Sequence, residues 1–408
     1  MADDPIALTC PSYWGPPSAR FHDETDQIYD HPIPIDEDGC LGRFLKSVSV
    51  LDGQLDVVIV SCSSSTSWED EVDNRIQQEI EKHAGNDRCY HFSHADGVLV
   101  RDFVRKKADE EMAEMIDMYG NSQIRNICLL ACHILGYQTI VSTDDGVVYD
   151  DPGYIANARK HIGSKVEETG EVVKVVCGPY SDREESVRDS EPFPAWRAYW
   201  NYTKAMNEAF ERIRSQDPPL KQTPYAMIGN IVLHRDFFSR VPLDPGCARG
   251  EAMDWLINAR IFGFRFYMDL ELTVQHNPPI RRFPLWKLVR LDIERFLYDR
   301  RKIRQMESNL GIPMDYVDPW PGRFLKQDLE ERIFRTNMML SNQYLAEGES
   351  EHAQGCLDNI YYGKHEYDPG DPLDRIQAQQ IKWKQLMGFI EQHRETLCKQ
   401  IFGREPVA

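Results

Sequence analysis

The sequence predicts an α/β fold, a mostly parallel sheet with helices on both faces, followed by a C-terminal helical extension. Three observations carry this expectation. Apolar β-branched runs alternate with stretches of helical period between residues 28 and 180, the pattern of strand–helix–strand units in a parallel sheet. After Pro279 the alternation stops and long amphipathic stretches rich in Arg and Lys take over. The length, 408 residues, leaves room for two or three domains. The boundary is expected at that change, with an α/β domain over 1–279 and the helical extension over 280–408.

Taken in order, residues 1–27 carry Pro-Pro and Ser and read as an irregular arm. Pro32 and Pro34 lie in a short extended stretch, Asp36 to Gly39 turns the chain, and Leu41, Phe44, Leu45 and Val48 recur at helical spacing. Leu55 to Ser61 is an apolar run bounded by turn residues, a buried strand, and Ser61 to Ser67 is a polar loop at its carboxyl end. Helices are expected over 70–83, 101–118 and 122–135, the last closed by Gly136. Strands are expected over 137–142, 172–177, 225–233 and 266–274, and helices over 194–214 and 250–262. Beyond Pro279, helical patterns run from Leu285 and recur near 326–346 and 373–401.

Composition narrows the function. Lys plus Arg is 47 and Asp plus Glu is 66, a net charge of −19. So acidic a chain does not present the basic face that nucleic acid or an anionic membrane surface requires. No apolar run reaches the length of a membrane span, and the first residues lack a basic segment followed by an apolar one. A soluble, cytoplasmic protein is the expectation. Ten scattered cysteines without a CxxC pair fit reduced, buried thiols rather than a zinc ribbon or redox motif.

Three constellations can carry chemistry. Asp144-Asp145 closes an apolar strand, and ligands in such sheets bind beyond the carboxyl ends of the strands. Adjacent carboxylates suit a hard divalent cation with substrate phosphates, although Asp-Asp-Gly is also ordinary turn chemistry. Glu251 and Asp254 share one face at the start of a helix. One could act as general base to a substrate hydroxyl, and both also complement the helix dipole. Trp255 beside them is either a sugar platform or core. His276 leaves a strand just before Pro278-Pro279 and gains weight if the fold brings it to Asp144 and Asp145.

The order Arg125-Asn126, Ala131, Leu135-Gly136, Ile140, Asp144-Asp145 resembles the RN…A…G…DxD stretch of family-2-like glycosyltransferases of the GT-A fold. Met227 to Phe238 resembles the strand and turn before their acceptor region, Arg249 to Phe264 their Glu-Asp segment, and Asp269 to His276 the strand that delivers a metal-binding His. The resemblance spans roughly residues 28–279. It implies transfer of a sugar from a UDP- or GDP-sugar to the hydroxyl of a small or saccharide acceptor. It implies Mn²⁺ or Mg²⁺ on Asp144, Asp145 and His276, and a donor site of Pro32, Ile33, Pro34, Ser61, Arg125, Asn126, Asp144, Asp145 and Trp255. Asp254 or Glu251 would be the base, with inversion. Two positions depart from the pattern. Gly146 stands where the second Asp of DxD is usual, and Ala252 where the catalytic Asp is usual. A catalytically impaired sugar-nucleotide-binding protein and a sugar-phosphate nucleotidyltransferase are the alternatives. The donor base, the acceptor and the oligomeric state, homo-oligomer or not, stay open.

Overall fold

A computed structural model of the chain describes residues 5–29, 32–166, 169–181, 194–215, 220–279, 282–313 and 317–407. The strands are β1 (Ile6–Gly15), β2 (Ile33–Pro34), β3 (Asp56–Ser63), β4 (Arg88–Phe92), β5 (Thr139–Thr143), β6 (Val147–Val148), β7 (Val175–Cys177), β8 (Leu220–Gln222), β9 (Asn230–His234), β10 (Tyr267–Asp269) and β11 (Gln275–His276). The helices are α1 (Leu41–Val48), α2 (Glu69–His83), α3 (His94–Lys107), α4 (Glu110–Ala113), α5 (Asn121–Leu135), α6 (Tyr154–His161), α7 (Tyr202–Arg214), α8 (Arg235–Phe238), α9 (Glu251–Ile261), α10 (Leu285–Leu310), α11 (Leu329–Glu347), α12 (Ser350–Tyr361) and α13 (Pro372–Phe402).

The main sheet runs β4-β3-β1-β5-β9-β7-β10-β8, with β2 beside β1. Pairing is parallel from β4 through β3 and β1 to β5, and again between β7 and β10. It is antiparallel where β9 joins β5 and β7, and where β8 joins β10. The sheet is therefore mixed but mostly parallel, as expected. β3 and β5 are buried along their whole length, which matches their uninterrupted apolar runs and the two covered faces of a parallel sheet.

The largest departure lies at the start. The segment expected to be an irregular arm contains β1, a strand at the centre of the sheet. Pro11 hid it, because proline rarely occupies a central strand. The register shows how it is accommodated. β1 pairs with β3 from Ala7 to Trp14 but with β5 only over Ile6–Thr9, so Pro11 lies beyond the stretch flanked on the β5 side. Smaller differences are of length. The strand expected over 225–233 begins at Asn230, that over 266–274 shrinks to Tyr267–Asp269, and 194–214 divides into a 3₁₀ turn at Ala195–Ala198 and α7.

The helices after Pro279 are built into the body. One contiguous apolar core joins β1, β3 and β5 to Ile293, Phe296, Trp320, Trp383 and Ile390. α5 packs on β1 and β3, and α13 packs on α5. Trp383 Nε1 donates to Phe238 O at 2.9 Å, and Val407 N donates to Leu135 O at 2.7 Å at the end of α5. No described helix is long and apolar enough to cross a membrane.

Candidate active site

The carboxyl ends of β1 and β5 face a cavity of about 580 Å³. The turn Asp144-Asp145-Gly146 follows β5 and lines it, with Tyr13 from the end of β1. Asp145 is buried, and Ser12 Oγ donates to its Oδ2 at 3.0 Å. Trp14 Nε1 in turn donates to Ser12 Oγ at 2.9 Å. Burial first, then the neighbouring Asp144, push the Asp145 carboxyl up to about 7. Asp144 forms an ion pair with Arg125, whose Nη1 also donates to Thr143 O at 2.9 Å. Arg125 thus fixes the end of β5 from α5. Burial is the largest influence and works against its charge, yet Asp144 together with Tyr13, Glu251 and Cys128 holds the guanidinium above its ordinary pKa.

Gly146 explains itself sterically. A Cβ there would lie 3.1 Å from Cα of Pro278, so the usual second carboxylate would press on the Pro278-Pro279 corner. That corner belongs to β11, which pairs antiparallel with β6 and sets His276 opposite Val147. Asn277 N donates to Gly146 O at 2.8 Å. His276 therefore stands against the acidic turn, its ring stacked on Tyr180 at 4.4 Å. Gly229 is tight for the same reason, since a Cβ on it would collide with the Asp144 carboxylate and the Tyr180 hydroxyl.

The opposite wall is the first turn of α9, Gly250 to Met253. Gly250 is the N-cap at φ 76°, a left-handed conformation that favours glycine. Glu251 and the Ala252 methyl face the cavity from this turn, together with Arg249. α7 adds Tyr202 and Thr203, α10 adds Arg295, and the turn between α10 and α11 adds Trp320.

Of the residues singled out in the sequence, Arg125, Asp144, Asp145, Glu251 and His276 line this cavity. The remainder lie elsewhere. Asp254 is buried in an ion cluster with Lys302, and Asn258 Nδ2 donates to its Oδ2 at 2.8 Å. Burial raises it to about 6 even against Lys302. Its carboxylate is committed away from the cavity, which leaves Glu251 as the carboxylate of that pair beside it. Trp255 is core rather than a sugar platform, donating from Nε1 to Val241 O at 3.0 Å and packing on Phe237. Asn126 exchanges two 2.9 Å bonds with the backbone of Leu243, which ties α5 to the segment leading into Arg249. Ser61 is bonded to His91 Nε2 at 2.7 Å. Ile33 and Pro34 pair with Trp14 and Gly15, and Pro32, Ile33 and Pro34 are buried beside that strand end without lining the cavity.

Ser12, Tyr13 and Arg295 were missed. The first two fell in the supposed arm, where the alternation Ile6, Leu8, Cys10 was the available signal. Arg295 belongs to an amphipathic helix and carries no local mark of a site.

Asp144, Asp145 and His276 supply oxygen and imidazole donors to one cavity, but their ligand atoms do not converge within 4.8 Å of one another. The described residues that do so are Cys247, Asp254 and Asp299. Lys302 already provides the positive charge there, with Nζ 2.7 Å from Asp244 Oδ2 and 3.1 Å from Asn258 Oδ1. That group is a buried ion network. Unlike that network, the acidic turn lines the cavity. A magnesium-type ion needs only one or two protein carboxylates when phosphate oxygens complete its shell.

No protein-family model matches the chain, and no curated protein matches it. Solved structures do resemble it. The mannosyltransferase PcManGT of Pyrobaculum calidifontis, solved with GDP-Man and Mn²⁺, is 12% identical with a TM-score of 0.45, covering 95% of this chain and 87% of its own. Glucosyl-3-phosphoglycerate synthase of Mycobacterium tuberculosis, solved with Mn²⁺ and UDP-glucose, is 15% identical with a TM-score of 0.36, covering 77% and 81%. TarS of S. aureus is 9% identical with a TM-score of 0.36, covering 89% and 55%. Likeness of this degree assigns no role to any residue of this chain.

Proposed function

We propose that the chain transfers a glycosyl group from a nucleoside diphosphate sugar to an acceptor hydroxyl, with a divalent cation at Asp144, Asp145 and His276. The observation that carries this is the convergence of the acidic turn after β5, His276 and Glu251 on one cavity beyond the strand ends. Ligands bind at this position in open α/β sheets. When bound, Mn²⁺ or Mg²⁺ would offset charge developing on the leaving diphosphate. Ser12 holds Asp145 in place, and Arg125 holds Asp144. Glu251 takes the proton of the acceptor hydroxyl at its carboxylate, acting from the face opposite the leaving group, so the anomeric configuration inverts.

The reading is tested by thermal unfolding with UDP, GDP, ADP and CDP, each in Mn²⁺ and in EDTA. A ligand at about 100 times its Kd adds about 2.7 kcal/mol to native stability, a shift of several degrees in a chain of this size. One nucleotide is expected to give that shift in Mn²⁺ and none in EDTA. No shift with any nucleotide would overturn the proposal. Release of nucleoside diphosphate from the matching sugar nucleotide, on addition of acceptors, then separates transfer from mere binding.

A further inference from the structure

The wall that carries Glu251 has two arginines just behind it. Arg249 and Arg295 both line the cavity and converge on one carboxylate oxygen, Asp292 Oδ1, at 2.7 and 3.1 Å. All three side chains are buried. Arg295 lies over two aromatic rings, its Cζ 4.6 Å from the Phe296 centroid and 5.3 Å from that of Trp320. Its Nε is buried and has no hydrogen-bond acceptor among the described residues. Arg295 also packs against Gly250, where any side chain would strike its guanidinium. The missing side chain has a second effect, because the N-cap cannot close the first turn of α9 with a side-chain bond. Helix starts left in that state favour anions.

Ala252 completes the picture. It lines the cavity two residues beyond Gly250. A carboxylate at 252 would add a third negative charge, beside Glu251 and Asp292, against the two guanidiniums of Arg249 and Arg295. The methyl leaves that wall to an incoming anion.

We propose that Arg295 and Arg249, with the first turn of α9 and the Ala252 methyl, form a subsite for an anionic group on the acceptor, a carboxylate or a phosphate. This rests on the glycosyltransferase reading and names its acceptor class, an anionic hydroxyl compound whose charge docks next to Glu251. Arginine suits the task because its planar fork matches both groups.

The test uses the full chain and titration calorimetry with inorganic phosphate and, separately, acetate. Each is titrated at saturating nucleoside diphosphate and Mn²⁺, which fills the acidic end of the cavity. The parent is expected to bind at least one of the two saturably, and whichever binds more tightly identifies the anion. R295Q and A252D are each expected to weaken that binding at least tenfold while leaving the nucleotide affinity unchanged. A252D removes no existing ion pair, so it reports even if R295Q folds poorly. A parent that binds neither anion, or variants that bind them as the parent does, would overturn the subsite and leave the donor reading standing. If no nucleotide binds, the donor reading fails, and the same titrations in EDTA still decide the subsite.

Discussion

At the scale of single residues, Asp145 is the most informative group. An ordinary aspartate titrates near 3.8, and burial with Asp144 at its side moves this one to about 7. The native state therefore binds more protons than the unfolded chain between those values. By linkage, the contribution of Asp145 to stability is present below about pH 4 and is lost as pH rises through about 7. A cation must displace that proton, so the two effects have opposite signs. Mn²⁺ affinity should rise about tenfold per pH unit up to about 7 and then level off. In D145N the slope should vanish along with most of the affinity. Calorimetric Mn²⁺ titrations between pH 5 and 8 measure this, and a pH-independent affinity in the parent would remove Asp145 from the cation site.

Among the elements, α9 and α10 are clasped by Lys302. Its ammonium lies fully buried between Asp244 and Asp254, and Tyr298 donates to Asp244 Oδ2 at 2.7 Å. Burial opposes the lysine's charge, but the two carboxylates raise its pKa. Burial, and next the Asp254 charge, also raise Asp299 well above the usual carboxylate range. Removing one partner of a buried pair strands the other, at about 3–5 kcal/mol. Lys302→Met should cost that much in urea unfolding, and a loss below about 1 kcal/mol would show that the carboxylates are relieved another way. This network also shows what a sequence withholds. The spacing of Glu251 and Asp254 places both at the start of one helix, and they do start α9. Periodicity cannot say that α10 claims one with Lys302 while the cavity keeps the other. By contrast, the αL glycine that ends α5 and the buried run of β3 were legible, because turn chemistry and burial act locally.

For the molecule as a whole, most of the parallel half of the sheet was legible from its apolar runs. The acidic turn and His276 were legible from their places at strand ends. The central strand β1 was not, because Pro11 and the polar residues after it resemble a loop until the register with β3 and β5 is known. Nor was the share of the C-terminal helices in the site, since no local pattern marks Arg295 or Trp320 as cavity walls. These helices complete the core and supply the counter-charge of Asp244 and Asp254. A chain cut after residue 279 should therefore lack a cooperative unfolding transition by circular dichroism, while the full chain shows one. A sharp transition in the shorter chain would make residues 1–279 an independent domain.

One cavity wall carries Tyr13 and another carries Trp320. A ribosome extending the chain at about 5–20 residues per second needs roughly fifteen to sixty seconds to travel from the first to the second. For roughly the last nine to thirty-five seconds of that interval, at the same rate, the acidic turn and β5 exist without the helices that will wall them in. The nascent chain must wait with its cavity unroofed, and the net negative charge of the protein becomes an asset. Like-charged, half-made chains on one polysome repel each other until Trp320 and its neighbours arrive.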